Sequence, residues 1–330
     1  MLALKSSEFR KEREASWKEL DQLLELARQQ GIASLSTADL RHLPLLYRAA
    51  LSSLSVARAI ALDRALLAYL EDLCLHAFLT IYARPLAVGA AIREFLARSW
   101  PRAVRFMRAH VFLALSALLL GAISGYLLVY ADEGWYSVII PAGLAGGRGP
   151  ASTREELLAI LFTKAQPGAF LLAFANILFS NNTLVSLLAF GLGILGGIPT
   201  LLLTFGNGLM VGAILALHAH RGLGLEITGW LMIHGVTELG AIVLFAAAGL
   251  KLGEVVLFPG QRSRADALAA DGMAIGDVAV GGVLMLLVAA VLEGVFRQTI
   301  ANTDGRLAVA FATLVFWTVY FTLAGRRKQP

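Results

Sequence analysis

Cysteine is all but absent from this chain. Cys74 is the single one in 330 residues, which excludes an intrachain disulfide. Set in "LEDLCLHAFL", it reads as a small hydrophobe buried on a helix. Charge is scarce as well, at 15% of residues, where a soluble domain carries about 25%. The first 30 residues hold no apolar core segment, so the pattern predicts no cleavable signal peptide. No metalloprotease spacing, Ser/His/Asp set or phosphate loop after a strand stands out. The expectation is therefore no enzyme, no metal and no cofactor.

What fills the chain is hydrophobic, 58% of it, and the remaining charge is lopsided. Residues 1–109 hold 16 basic and 11 acidic side chains, and residues 110–330 hold 12 of each. The whole +5 surplus thus lies in the N-terminal third. The pattern predicts an all-α protein with three parts. A cytoplasmic helical head covers 1–109, a polytopic α-helical membrane domain covers 110–325, and a basic cytoplasmic tail covers 326–330. Arg93, Arg98, Arg102, Arg105 and Arg108 lie beside the first span and supply a positive-inside signal in a bacterial cytoplasmic membrane. The surplus suits an anionic lipid surface and calls for no nucleic acid.

In the head, "SSEFRKEREASWKELDQLLELARQQG" reads as an amphipathic helix capped at Ser7 and ending at Gly31. Phe9, Arg13 and Trp17 share one stripe, with Arg13 placed to lie against Trp17. Ser36 and Asp39 form a capping pattern for the next helix. A break near Leu62–Asp63 folds the following stretch into two antiparallel helices, and Pro85 suits the first position of another.

In the body, about six spans are expected, near 110–130, 183–204, 206–220, 227–250, 277–296 and 307–325. A half-span is expected at 170–179, so that 170–220 holds a broken or re-entrant helix. The breaks are "SNN" (Ser180–Asn182), Pro199 and "GNG" (Gly206–Gly208). Interrupted backbone at membrane depth is tolerated only where protein or water covers it. Loop 131–168 belongs outside, with a short helix capped by Ser152 or Thr153, and loop 251–275 inside. The pairs Gly121/Gly125, Gly193/Gly197 and Gly208/Gly212 predict close helix packing and self-association.

One span holds the chemistry. In "LMIHGVTELGAIVLF", His234 and Glu238 are four residues apart, so they share a helix face about 5–6 Å apart. A lone ionised Glu at the bilayer centre costs at least a few kcal/mol, so Glu238 is protonated, paired or facing a wet interior. Three readings compete: a structural tie to Asn181, Asn182, Asn207 or Glu293; a solute or proton path; and a metal site. The metal reading is the weakest on spacing, since "HGVTE" has one His.

These residues resemble the stage II sporulation protein M family. In the head the likeness is carried by Phe9, Arg13, Trp17 and Leu20, by "LYRAALSSLSVAR" and by "YLEDLCLHAFLTIY". In the body it is carried by Asn181–Asn182, by Asn207–Gly208 with Gly212, by "HGVTELGAIVLFAAAGLKLG" with Ala241, Gly249 and Gly253, and by Glu293–Gly294. One departure is Ile233, where family members often have Pro before the His. The resemblance implies a multi-pass membrane protein with no established catalytic activity. The sporulation member acts as a membrane anchor or scaffold for peptidoglycan-degrading partners. The leading expectation is thus a non-enzymatic scaffold, with the lipid bilayer, a second copy of the chain, and protein partners at the head or outer loop as its contacts. The alternative is a transporter or channel centred on His234 and Glu238.

Overall fold

The computed structural model describes residues 2–59, 64–82, 88–162, 181–296 and 299–326. Among these residues there is no strand. They fall into two compact units, Met1–Val88 and Gly89–Pro330.

The first unit packs α1 (Leu2–Gln30), α2 (Thr37–Ala59) and α3 (Arg64–Tyr82) around one core. Trp17, Leu20, Leu46, Ala50, Leu70 and Cys74 meet there. Helix α1 starts before Ser7, so Ser7 is no cap: "LALK" consists of good helix formers and extends the first turns. The helix stops at Gly31, whose φ of 84° suits a residue without a Cβ. Ser36 and Asp39 cap α2 reciprocally. The Asp39 N–H donates to Ser36 Oγ (3.1 Å) and the Ser36 N–H to Asp39 Oδ2 (3.2 Å). Arg13 lies over Phe9 at 4.6 Å, not over Trp17. Trp17 is turned into the core, where its indole N–H donates to Ser53 Oγ, so the half-buried Phe9 ring takes the cation. The expected break at Leu62–Asp63 and Pro85 lie outside the described residues.

The second unit begins earlier than the expected 109/110 boundary. It opens with an arm made of α4 (Val88–Glu94), a π turn (Phe95–Ser99) and α5 (Trp100–Phe106). Trp100, Ala103, Val104 and Met107 pack into the core of the body with Phe245, Ala248 and Val278, which ties the arm to the body. The arm is followed by α6 (Arg108–Ala131), α7 (Gly134–Ile139) and α8 (Arg154–Phe162). Then come α9 (Asn181–Gly191), α10 (Ile198–His220), α11 (Gly224–Leu257), α12 (Arg264–Val291, continued by a π turn Leu292–Phe296) and α13 (Thr303–Leu323).

Six helices are long and apolar enough to cross a membrane, and the protein is an all-α, multi-pass chain. The set differs from the expected one. Five lie in the body: α6, α10, α11, α12 with its π turn, and α13. The sixth is α3, whose buried face serves the core of the first unit. The expected spans 183–204 and 206–220 are replaced by the short α9 and one unbroken α10. Glycines within a helix cost only about 1 kcal/mol each, so "GNG" continues as helix; Gly208 is pressed on α6, while a Cβ at Gly206 would meet open space. The chain turns instead at Gly196 and Gly197, with φ of 90° and 79°, just before Pro199. The expected inner loop 251–275 shrinks to residues 258–263, because α11 and α12 both extend past their apolar parts. Their charges are absorbed in pairs: Lys251 Nζ lies 3.1 Å from Asp271 Oδ2, and His110 Nε2 lies 2.6 Å from Glu254 Oε2. The expected half-span 170–179 lies outside the described residues.

Candidate functional site

Helices α6 and α10 run parallel, and glycine lets their backbones touch. A Cβ on Gly121 would collide with the carbonyl of Phe205, and one on Gly125 with that of Leu209. In return, Gly208 faces the carbonyl of Leu118 and Gly212 that of Ala122. The contact is reciprocal and intramolecular. A second glycine seam joins α9 to α11: Gly193 lies on Gly249, and Gly253 on the carbonyl of Gly193. Gly193 and Gly197 are therefore not one helix face, because Gly197 belongs to the turn.

Beside these seams the packing opens. A cavity of about 220 Å³ is lined by Asn182 from α9, Asn207 from α10 and Gly235 and Glu238 from α11. Ile140 and Leu144, from the connection between α7 and α8, also line it. Asn182, in the first turn of α9, brings an amide to the same cavity as Glu238. Asn207 is 5% exposed, and its amide Nδ2 makes no hydrogen bond among the described residues. An unsatisfied buried amide costs about 1–3 kcal/mol, so a donor left open at a cavity wall is a place for water or solute.

His234 sits one turn before Glu238, with Nε2 3.8 Å from Glu238 Oε2. It is 6% exposed, packs edge-on to Trp230 and does not line the cavity. Thr237 accepts from the Trp317 indole N–H at 3.0 Å, which anchors this part of α11 to α13. Glu293 lies in the π turn after α12 and does not line the cavity. Asn181 is the first residue of α9. Of the polar residues expected to gather, Glu238, Asn182 and Asn207 do so, with His234 behind them.

The connection between α6 and α8 is tied to the bundle through a latch that the sequence pattern does not single out. Arg221, in the turn between α10 and α11, grips Glu133 with two hydrogen bonds of 2.6 and 2.8 Å. It also donates to the carbonyls of Pro150 (2.7 Å) and Ser152 (3.1 Å). The guanidinium holds the Glu133 carboxyl below the usual carboxylate range. Thr153 caps α8, its Oγ1 accepting from the Glu156 N–H at 3.2 Å while Glu156 Oε2 accepts in return. Nearby, burial raises the Tyr136 hydroxyl above its ordinary value. The one sequence signal for the latch is Arg221 itself, a lone cation in a short apolar turn.

At the opposite end, Arg102 and Arg105 of the arm donate to the carbonyls of Gly325 (3.0 Å) and Phe321 (2.8 Å). The end of α13 and the start of α6 therefore share a face.

Comparison with known proteins returns two matches. Residues 7–83 match a domain of unknown function, and residues 114–296 match the family described as Stage II sporulation protein M. No curated protein and no solved structure matches. The second match includes α9, α10, α11 and the two glycine seams. Since it covers more than half of the 330 residues, the chain belongs to the stage II sporulation protein M family.

Proposed function

We propose that the body binds a small polar solute at the Glu238 pocket and passes it across a bacterial cytoplasmic membrane, without enzymatic chemistry. The observation that carries this is the cavity itself, which brings Asn182, Asn207 and Glu238 together from three helices. A purely structural cluster would be dry and fully hydrogen-bonded, whereas the Asn207 amide Nδ2 has no acceptor among the described residues. A short helix whose first turn meets such a pocket is also the arrangement of many transport sites. The arginine-rich arm shares its face with the end of α13, which supports placing both termini in the cytoplasm.

The test is flux into liposomes holding the purified protein, followed by swelling in small polar solutes. Wild type should exceed empty liposomes, and Glu238→Gln should lose the excess at unchanged thermal stability. Equal flux in all three contradicts the proposal.

A second reading is the scaffold. It is favoured by the head, which has a core of its own and so offers a separate surface to protein partners or to a second copy. Capture of partners by the head alone, in a chain whose pocket is blocked, would favour it.

A further inference from the structure

On the arm side of the body there is a second opening of different character. It is an apolar groove of about 610 Å³ between the arm, α12 and α13. Leu96 and Trp100 form one wall, Leu284, Val288 and Val291 the floor, and Trp317 the other wall. Both π turns border it, through Leu96 and through Leu292 and Phe296. Trp100 lies flat enough on α12 that a Cβ at Gly281 would strike its ring. From Leu284 to Phe296 the groove follows α12 and its π turn for roughly 18 Å at about 1.5 Å per residue. That length covers one leaflet of a bilayer about 30 Å thick.

The mouth of this groove is cationic. The arm carries Arg93, Arg98, Arg102 and Arg105, and Arg108 follows it. Arg102 and Arg105 are occupied by carbonyls of the α13 end, and Arg98 by Glu94, the one acid of the arm. Arg93 and Arg108 are exposed and make no ion pair or hydrogen bond among the described residues. Arg93 lies three residues before Leu96, on the same helical face. The Trp100 indole Nε1 is buried against Gly281 of α12, so the ring serves the groove as an apolar wall.

We propose that this groove is a site for one anionic phospholipid. An acyl chain lies along Leu284, Val288 and Val291. The ester region reaches the level of Trp100, and the phosphate meets Arg93. Apolar length and then cations unpaired among the described residues follow one another in the order of the lipid's own parts. A diffuse attraction to anionic membrane would need the arginines and not the groove.

The experiment uses the full-length protein in neutral detergent and follows thermal unfolding on adding phosphatidylglycerol or phosphatidylcholine with identical chains. Phosphatidylglycerol should raise the midpoint by several degrees and phosphatidylcholine should not. Val288→Trp, which fills the groove, and Arg93→Gln, which is at the surface, should each remove most of that difference. Each variant's own midpoint without lipid reports whether it is folded. Should Val288→Trp fail to fold, Arg93→Gln and native mass spectrometry of retained lipid decide alone. Equal shifts for the two lipids overturn the proposal. So does a full phosphatidylglycerol effect in folded Val288→Trp, or in Arg93→Gln.

Discussion

The two faces of α10 pack in opposite ways. Toward α6, Gly208 and Gly212 let the backbones meet with no side chain between them. Toward α11, Asn207, Met210, Val211 and Ile214 border an opening of about 220 Å³. Asn207 directly precedes Gly208, where a Cβ would lie on the carbonyl of Leu118. A helix held this closely on one side is not loosely packed by accident on the other, since interiors ordinarily leave few voids larger than a water molecule. Empty cavities in proteins are apolar, whereas this one has a carboxyl and two amides in its wall.

The contrast can be broken from the packed side. Gly208→Val with Gly212→Val puts branched side chains against the carbonyls of Leu118 and Ala122. The expected cost is upwards of about 3 kcal/mol, seen as loss of monodisperse protein in detergent. Glu133→Gln, at the latch above the pocket, comes next, at about 1.5–3 kcal/mol in thermal unfolding. Its pH dependence has a definite sign. The folded Glu133 carboxyl titrates lower than the unfolded one, so the latch contributes fully at neutral pH. It fades as pH falls through the ordinary carboxylate range, about 4.3, toward the lower folded value. Hydrogen exchange of residues 132–153 should quicken there in wild type and be fast already at neutral pH in Glu133→Gln.

Thr237→Val supplies an ordinary yardstick on the α13 side of α11. It strands the Trp317 indole N–H and should cost about 1 kcal/mol in denaturant unfolding. Asn207→Leu should have the smallest effect on stability, within about 1 kcal/mol and of favourable sign, because it removes an amide whose donor is unused among the described residues. The same variant should abolish solute handling. A large destabilisation by Asn207→Leu would mean that the amide is structural.

Much of this contrast is legible in the sequence. Gly121/Gly125 and Gly208/Gly212 stand four apart in apolar runs, and both pairs fall on one seam. Glu238 stands out because lipid makes a lone carboxyl costly. The helix break is harder to read. "GNG" and "GGIP" both carry glycine, yet only the second bends, since Pro199 follows two residues with positive φ. Gly208 is needed for contact, and nothing in a single sequence separates that need from flexibility. The ends of α11 and α12 are hidden for a related reason. Lys251 and Asp271 look like loop charges until the fold brings them 3.1 Å apart. The Arg221–Glu133 latch joins residues 88 positions apart, so no local spacing announces it.

The pocket's openness to water is the central claim, and a thiol probe reaches it most directly. Cys74, the one native cysteine, is first replaced by alanine, and Val211→Cys is introduced in the cavity wall. A small charged thiol reagent, added to the outer face of sealed vesicles, should label this cysteine, and Glu238→Gln should change the rate. If Val211→Cys stays unlabelled while an exposed Glu155→Cys reacts fully, the cavity is dry and closed, and the account is contradicted.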